Sequence, residues 1–209
     1  MQIFLIRHGE SVKNAGKCDL EDWKVPLTNK GESQALQTGH NLLNYCKTHN
    51  ISLDNSIIIS SPYIRAKQTA SSINKYLNLP LLINYSISEY QHYDQVTTSI
   101  SELEEYNKEL SNSCPLLKKF IYNQVDENQN ENNVEIVLRA KSVIENITNL
   151  PYDNVFIVSH KGFIKAFITA FNNKDYSAYF EHHIVENCSV KLFDIDNNIF
   201  EEKGNILNP

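Results

Sequence analysis

The chain has 209 residues, a length that single α/β domains often reach, and we expect one domain over residues 1–209. Hydrophobic residues make up 41% of the sequence and charged residues 21%, a balance that excludes a disordered or fibrous protein. The net charge of −6 repels polyanions, so general nucleic-acid binding is not expected, and any phosphate-binding site has to be basic locally.

The first part of the chain alternates between strands and helices. Residues 2–6 form a nearly continuous apolar run, which predicts a strand buried on both faces of a parallel sheet. A turn with a capping residue at 27–32 then opens a helix that we expect to extend to about residue 47. Residues 56–60 predict a second buried strand, which leads into a helix that contains Arg65.

A polar insertion interrupts this alternation. Residues 80–83 predict a short third strand, and the residues from about 90 to 133 are polar with weak helical periodicity. We interpret this segment as a small, mainly helical cap with a flexible tip at 126–133. The alternation then resumes with a helix, a strand, a helix and a last strand, at residues 135–150, 154–158, 162–171 and 190–195. A hairpin turn is predicted at 194–198.

The N-terminal segment and the cysteine pattern both indicate a cytoplasmic location. The N-terminal apolar run is too short for a signal sequence or a membrane span, because charged residues follow it at once. The cysteines form neither CxxC pairs nor a metal-binding spacing with histidine, and they are Cys18, Cys46, Cys114 and Cys188. We therefore expect a cytoplasmic protein with reduced thiols, no metal site and no membrane contact.

Residues that suit phosphate follow three of the predicted strands. Arg7 and His8 come directly after the first strand, Arg65 shortly after the second, and His160 after the strand at 154–158. Because the carboxyl ends of parallel strands meet at one edge of a sheet, we expect these side chains to lie close together.

The order of these motifs resembles that of the histidine phosphatase superfamily. The matching segments are RHGESVKN at 7–14, LTNKGESQA at 27–35, SSPYIRAKQTA at 60–70, the region around Glu89, and VSHKG at 158–162. The resemblance implies a three-layer α/β/α fold with a mostly parallel central sheet, a histidine nucleophile and no metal. It also implies an enzyme that is either a phosphatase or a phosphoglycerate mutase.

By this resemblance His8 attacks phosphorus, and four side chains hold the phosphoryl oxygens: Arg7, Asn14, Arg65 and His160. The chemistry agrees with these roles. A histidine nucleophile has to be neutral when it attacks, and nearby arginines disfavour its protonated form. The planar donors of arginine also match the oxygens of a transferring phosphoryl group.

Glu89 is the candidate proton donor to the leaving group and the base that later activates water. Such a carboxyl has to be protonated at the start, and a dianionic substrate beside it raises its pKa, so an acidic to neutral pH optimum is expected. Glu10 is the nearest rival for this role. Two further candidates for substrate binding are Ser11, in the first motif, and Lys161, which either binds a second anionic group or points into solvent.

Two differences from the sequence pattern of phosphoglycerate mutases favour a phosphatase. Glu89 is followed by YQHYD, whereas phosphoglycerate mutases carry an arginine soon after the equivalent glutamate, and residues 15–26 do not resemble the substrate-gripping segment of a mutase. We expect hydrolysis of small phosphorylated substrates without a cofactor. The alternatives are a cofactor-dependent phosphoglycerate mutase and a non-catalytic regulator that binds phospholigands. The sequence leaves the substrate and the oligomeric state open.

Overall fold

A six-stranded sheet forms the centre of the computed structural model, which describes residues 1–16, 18–90, 105, 107–108, 112, 131–173, 185–196 and 199–207. The strands are β1 (Gln2–Arg7), β2 (Ser56–Ser60), β3 (Leu81–Ile83), β4 (Asn154–Ser159), β5 (Val190–Asp196) and β6 (Ile199–Leu207). Four helices are described over their whole length: α1 (Asn29–Thr48), α2 (Ile64–Leu77), α3 (Asn133–Thr148) and α4 (Lys161–Phe171). Two short 3₁₀ helices span Asp22–Lys24 and Tyr85–Ile87.

The strand order is β3-β2-β4-β1-β5-β6, and the first four strands in this order are parallel. The last two strands, β5 and β6, run antiparallel to their neighbours. The carboxyl ends of β1, β2 and β4 therefore lie together at one edge of the sheet. The mostly parallel sheet expected from the sequence is confirmed.

Both faces of the sheet are covered by helices. Phe4 and Ile6 of β1 pack in the cluster that contains buried residues of α1 and α2, whereas Ile3 and Leu5 pack with buried residues of α3 and α4. Side chains alternate between the two faces of a strand, so a strand that is buried on both faces needs an unbroken apolar run. The result is the predicted three-layer α/β/α arrangement.

The end of the sheet is longer than the sequence predicts. The sequence predicts a last strand at 190–195 and a hairpin turn into Ile199 and Phe200, whereas β5 extends to Asp196 and a further full strand, β6, follows it. The middle of β6 is polar, with Glu201, Glu202 and Lys203 in succession, and Gly204 takes a positive φ of 81° where the register between β5 and β6 shifts. A bulge of this kind breaks the period of two by which a strand is recognised. The predicted hairpin turn includes residues 197–198, which lie outside the described residues.

The predicted cap at 90–133 falls almost entirely outside the described residues. Within it, the side chain of Asn107 is buried and extends the edge of the sheet, since it accepts a hydrogen bond from the amide of Ile83 at 2.9 Å and donates one to its carbonyl at 2.8 Å. The single-domain organisation and the cap stay predictions. None of the helices in the described ranges is long and apolar enough to cross a membrane.

Candidate active site

The three strand ends bring the predicted phosphate-binding residues together. His8 follows β1, His160 follows β4, and Arg65 lies in the first turn of α2, directly after β2. The rings of His8 and His160 lie 5.1 Å apart, and Nε of Arg65 is 3.2 Å from Nε2 of His8. All three side chains are buried. The three side chains therefore lie close together, as the geometry of a parallel sheet predicts.

The loop that carries His8 is packed tightly against the start of α1. A Cβ atom on Gly31 would lie 2.0 Å from the carbonyl oxygen of Glu10, and one on Gly9 would lie 2.5 Å from the carbonyl oxygen of Gly31. These two backbones touch at distances that only glycine permits. The amide of Gly9 also donates to Oγ1 of Thr69 on α2, at 3.0 Å. The loop is thus fixed between two helices.

The hydrogen bonds of His8 select one tautomer. Nδ1 lies 2.7 Å from the carbonyl oxygen of Gly9, which can only accept, so Nδ1 carries the proton. Nε2 then holds the lone pair, which accepts from Nε of Arg65. Burial, and next the charge of Arg65, lower the pKa of His8 to about 3. His8 is therefore a neutral imidazole with its unprotonated nitrogen beside Arg65.

A segment after α4 holds this loop from the other side, and the sequence did not reveal it. The carbonyl oxygen of Val185 accepts from Nη1 of Arg7 at 2.7 Å, and Nδ2 of Asn187 donates to the carbonyl oxygen of His8 at 2.9 Å. The amide of Cys188, whose φ is 59°, donates to the carbonyl oxygen of Arg7 at 3.0 Å. Most of these contacts use backbone atoms, which leave no residue-type signal.

Glu89 lies just after the 3₁₀ helix Tyr85–Ile87 and approaches the start of α4. Its Oε2 atom accepts from the amide of Gly162 at 3.2 Å, and a Cβ on Gly162 would lie 2.1 Å from Oε1. Oε1 is buried and has no hydrogen-bond partner among the residues described. Burial raises the pKa of Glu89, although the Gly162 amide and the arginines oppose it. The environment favours a protonated carboxyl.

Glu10, the rival acid, is in the opposite situation. Its carboxylate accepts from Nζ of Lys30 at 2.7 Å and from Oγ1 of Thr28 at 2.9 Å. These hydrogen bonds, that of Lys30 first, lower the pKa of Glu10. Because Glu10 is held ionised at the start of α1, it is poorly suited to donate a proton, and Glu89 is the better candidate.

Arg139 of α3 is a second residue that the sequence did not single out. Its guanidinium donates to the carbonyl oxygens of Ser86 at 2.8 Å, Ser88 at 3.0 Å and Glu89 at 3.1 Å. It also forms a two-point ion pair with Glu131, at 2.7 and 2.6 Å, in which the two side chains are 4% and 0% exposed. Glu131 was assigned to the flexible tip of the cap, and for this residue the assignment is wrong, because it is buried as the counter-ion of Arg139.

A cavity of about 410 Å³ lies in front of these residues. The predicted site residues that line it are Arg7, His8, Ser11, Asn14, Arg65, Glu89 and Lys161, and the lining also contains Lys13, Asp22 and Tyr90. His160 lies behind the lining, with Nε2 2.7 Å from Oγ of Ser61 and with Nδ1 lacking a partner in the described ranges. Nε of Arg7 is likewise buried without one. Buried polar atoms that lack a protein partner are expected at a site that binds a polar ligand.

Three predicted substrate-binding residues, Ser11, Asn14 and Lys161, complete the cavity lining. The carboxamide oxygen of Asn14 accepts from the amide and the hydroxyl of Ser11, at 3.1 and 2.9 Å. These bonds fix the orientation of Asn14 and leave its NH₂ group as the donor for a ligand. Ser11 is buried and acts on Asn14, whereas Lys161 is exposed and begins α4.

Paired histidines and arginines at the carboxyl edge of a parallel sheet define a site for phosphoryl chemistry. The family comparison agrees: the chain belongs to the histidine phosphatase superfamily (branch 1), whose model matches residues 3–204. The sequence-based recognition of this family is confirmed.

Curated relatives include enzymes of two kinds. The uncharacterized phosphatase PhoE of Bacillus subtilis is 29% identical over 174 residues, which cover 83% of this chain and 78% of PhoE. The probable phosphoglycerate mutase GpmB of Escherichia coli is 25% identical over 213 residues, which cover 98% of this chain and 89% of GpmB.

Solved structures share the fold at lower identity. A putative alpha-ribazole-5'-P phosphatase from Escherichia coli superposes with a TM-score of 0.69 at 22% identity, covering 98% of this chain and 96% of that one. Phosphoserine phosphatase from Entamoeba histolytica superposes with a TM-score of 0.62 at 18% identity, covering 98% and 95%.

The ion pair of Arg139 leads to a stability prediction. Arg139→Met removes the guanidinium that lies against the buried carboxylate of Glu131, and we expect the free energy of unfolding to fall by about 3–5 kcal/mol, measured by urea denaturation. The double variant Arg139→Met with Glu131→Gln also removes the carboxylate charge that Arg139 neutralised, and it is expected to recover part of this loss.

A matched control is Lys203→Met, which removes the same charge from an exposed pair with Glu201 on β6. This variant is expected to unfold at nearly the wild-type urea concentration. If Arg139→Met also did so, the buried pair would not stabilise the loop that carries Glu89.

Proposed function

We propose that the protein is a phosphatase that hydrolyses phosphate monoesters through a phosphohistidine intermediate on His8, with Glu89 as general acid and base. The observation that carries this proposal is that His8, Arg65 and Glu89 line one cavity, in which the unprotonated Nε2 of His8 lies 3.2 Å from Nε of Arg65. Burial keeps His8 neutral and favours the protonated form of Glu89. A neutral nucleophile and a protonated acid are the two states that the first chemical step requires.

In the first step, Nε2 of His8 gives up the hydrogen bond from Nε of Arg65, its lone pair attacks phosphorus, and the bond between phosphorus and the ester oxygen breaks. The leaving oxygen takes the proton of Glu89 and departs as an alcohol. Arg7 and Arg65 stabilise the negative charge on the phosphoryl oxygens, and the hydrogen bond from Nδ1 to Gly9 stabilises the positive charge that develops on the ring.

In the second step, water attacks the phosphorus of the phosphohistidine. The ionised carboxylate of Glu89 takes a proton from this water, the bond between nitrogen and phosphorus breaks, and inorganic phosphate is released. His8 returns to its neutral form and Glu89 to its protonated form, so the cycle closes without a further reactant.

The substrate is proposed to be a small phosphorylated molecule, because the cavity of about 410 Å³ is in the size range of small-molecule sites. Mutase activity is the second candidate, since one relative is named a probable phosphoglycerate mutase. Metal independence and a cytoplasmic location stay predictions.

The first test of this proposal is phosphate release from a panel of monoesters in the presence of EDTA. Wild-type protein is expected to turn over at least one of them, His8→Ala to fall to background, and Glu89→Gln to lose about 10²–10⁴-fold in kcat on alkyl phosphates, which need a protonated leaving group. Esters with a good leaving group, such as an aryl phosphate, are expected to lose less in Glu89→Gln.

Activity that His8→Ala retains would contradict the phosphohistidine route, and activity that EDTA abolishes would contradict metal independence. Interconversion of phosphoglycerates faster than phosphate release would identify a mutase. Folding of each variant is checked by circular dichroism.

The second test is the pH dependence of kcat/KM, which reports groups of the free enzyme. Because the pKa of His8 is lowered from 6.5 to about 3, the neutral nucleophile persists far below pH 6.5, and no acid limb is expected near that value. Because the pKa of Glu89 is raised, the protonated acid persists above the ordinary range of a glutamate, and activity falls as the pH rises through this raised pKa.

Glu89→Gln is the control for this profile, because an amide does not titrate. The alkaline limb due to Glu89 is expected to vanish in the variant, whereas a limb due to ionisation of the substrate would remain. The same alkaline limb in both proteins would remove Glu89 from the proposed role.

A further inference from the structure

A carboxylate already occupies the part of the cavity that is otherwise suited to an anion. Asp22, in the 3₁₀ helix Asp22–Lys24, places Oδ2 2.9 Å from Nη2 of Arg65 and Oδ1 2.6 Å from Nζ of Lys13. Its side chain is 14% exposed and lines the same cavity as His8. Arg65 is thus paired with an internal anion before any substrate is present.

The carboxylate is not what orients Arg65. Nε of Arg65 donates to His8, and Nη1 donates to the backbone carbonyl of Asp22, a contact that does not depend on the side chain at position 22. The guanidinium is planar, so these two contacts already fix its plane. The carboxylate of Asp22 therefore adds a negative charge beside a guanidinium whose orientation is already fixed by other contacts.

A carboxylate and a phosphoryl group make the same kind of contact with a guanidinium, through oxygens that accept charge-assisted hydrogen bonds. The contact with Arg65 is the stronger of the two that Asp22 makes, because the Arg65 side chain is 5% exposed while that of Lys13 is 60% exposed and screened by solvent. The competition between Asp22 and an arriving phosphate is therefore for Arg65.

We propose that Asp22 is an internal competitor for the phosphate subsite: it holds Nη2 of Arg65 in the empty site, gives it up to the phosphoryl group of the substrate, and takes it back as inorganic phosphate leaves. Asp22 thereby weakens binding of the product phosphate and raises KM. This inference rests on the proposed function, since it requires that the phosphoryl group bind at Arg65.

The test is direct binding of inorganic phosphate, measured by titration calorimetry, to the wild type and to Asp22→Asn. This substitution keeps the size of the side chain and the backbone carbonyl while removing the charge. We expect the Kd for phosphate to fall by about tenfold, which corresponds to about 1.4 kcal/mol of binding free energy. The inhibition constant of phosphate in the hydrolysis assay is expected to fall in parallel.

The matched control is Glu21→Gln, which removes one negative charge from the neighbouring position. Glu21 pairs with Lys24 on the surface, where the two side chains are 60% and 47% exposed, and it does not line the cavity. Its Kd for phosphate is expected to stay within about twofold of the wild type, as is typical of an exposed pair. Asp22→Ser removes the carboxylate differently, and it is expected to behave as Asp22→Asn does.

An unchanged or higher Kd in both Asp22 variants would overturn the inference and make Asp22 a positioning residue for Arg65. If phosphate binding is lost in Arg65→Ala but is insensitive to Asp22, only this inference fails. If neither the wild type nor Asp22→Asn binds phosphate and no turnover depends on His8, the proposed function fails and the inference fails with it.

Discussion

A histidine that stays neutral while it contacts an arginine is the constraint on which the rest of this site depends. Nε2 of His8 lies 3.2 Å from Nε of Arg65, and a protonated ring would place two cations in contact in a buried environment. Burial therefore has to be complete and the ring has to be held in one tautomer. The carbonyl of Gly9, the glycine contact with α1 and the segment after α4 together meet this requirement.

Burial acts in opposite directions on the two groups that the proposed mechanism uses. Removing a group from water disfavours its charged form, so the pKa of His8 falls and that of Glu89 rises. Burial at the edge of one parallel sheet thus favours the neutral form of both groups, a base and an acid for the same proposed reaction. Arg139, paired with Glu131, supports this arrangement, because it fixes the backbone at Glu89 through the carbonyl oxygen and places no counter-ion against the Glu89 carboxyl oxygens.

The sequence predicted the features that arise from local pattern. The apolar runs located the four parallel strands, and the strand ends located His8, Arg65 and His160 at one edge. It did not predict β6 as a strand, because a bulge disrupts the alternating pattern, or the segment 185–188 that holds the His8 loop, because most of its contacts use backbone atoms. Glu131 lies in the polar stretch 126–133 and Arg139 lies eight residues further on, in the helix predicted at 135–150, so no local pattern indicates that the two charges are buried against each other.

Asp22 illustrates why a carboxyl near a reaction centre cannot be assigned a role from its position alone. Burial would raise its pKa, but Arg65 and Lys13 outweigh burial, and the pKa of Asp22 is lowered. Glu89, in the same cavity, has no ion pair among the described residues, and its pKa is raised. An ionised Asp22 has no proton to donate, so it acts on a phosphate ester only through its charge, whereas Glu89 has a proton to give. The two carboxyls therefore have different proposed roles, because Asp22 lies against cations and stays ionised, whereas Glu89 does not.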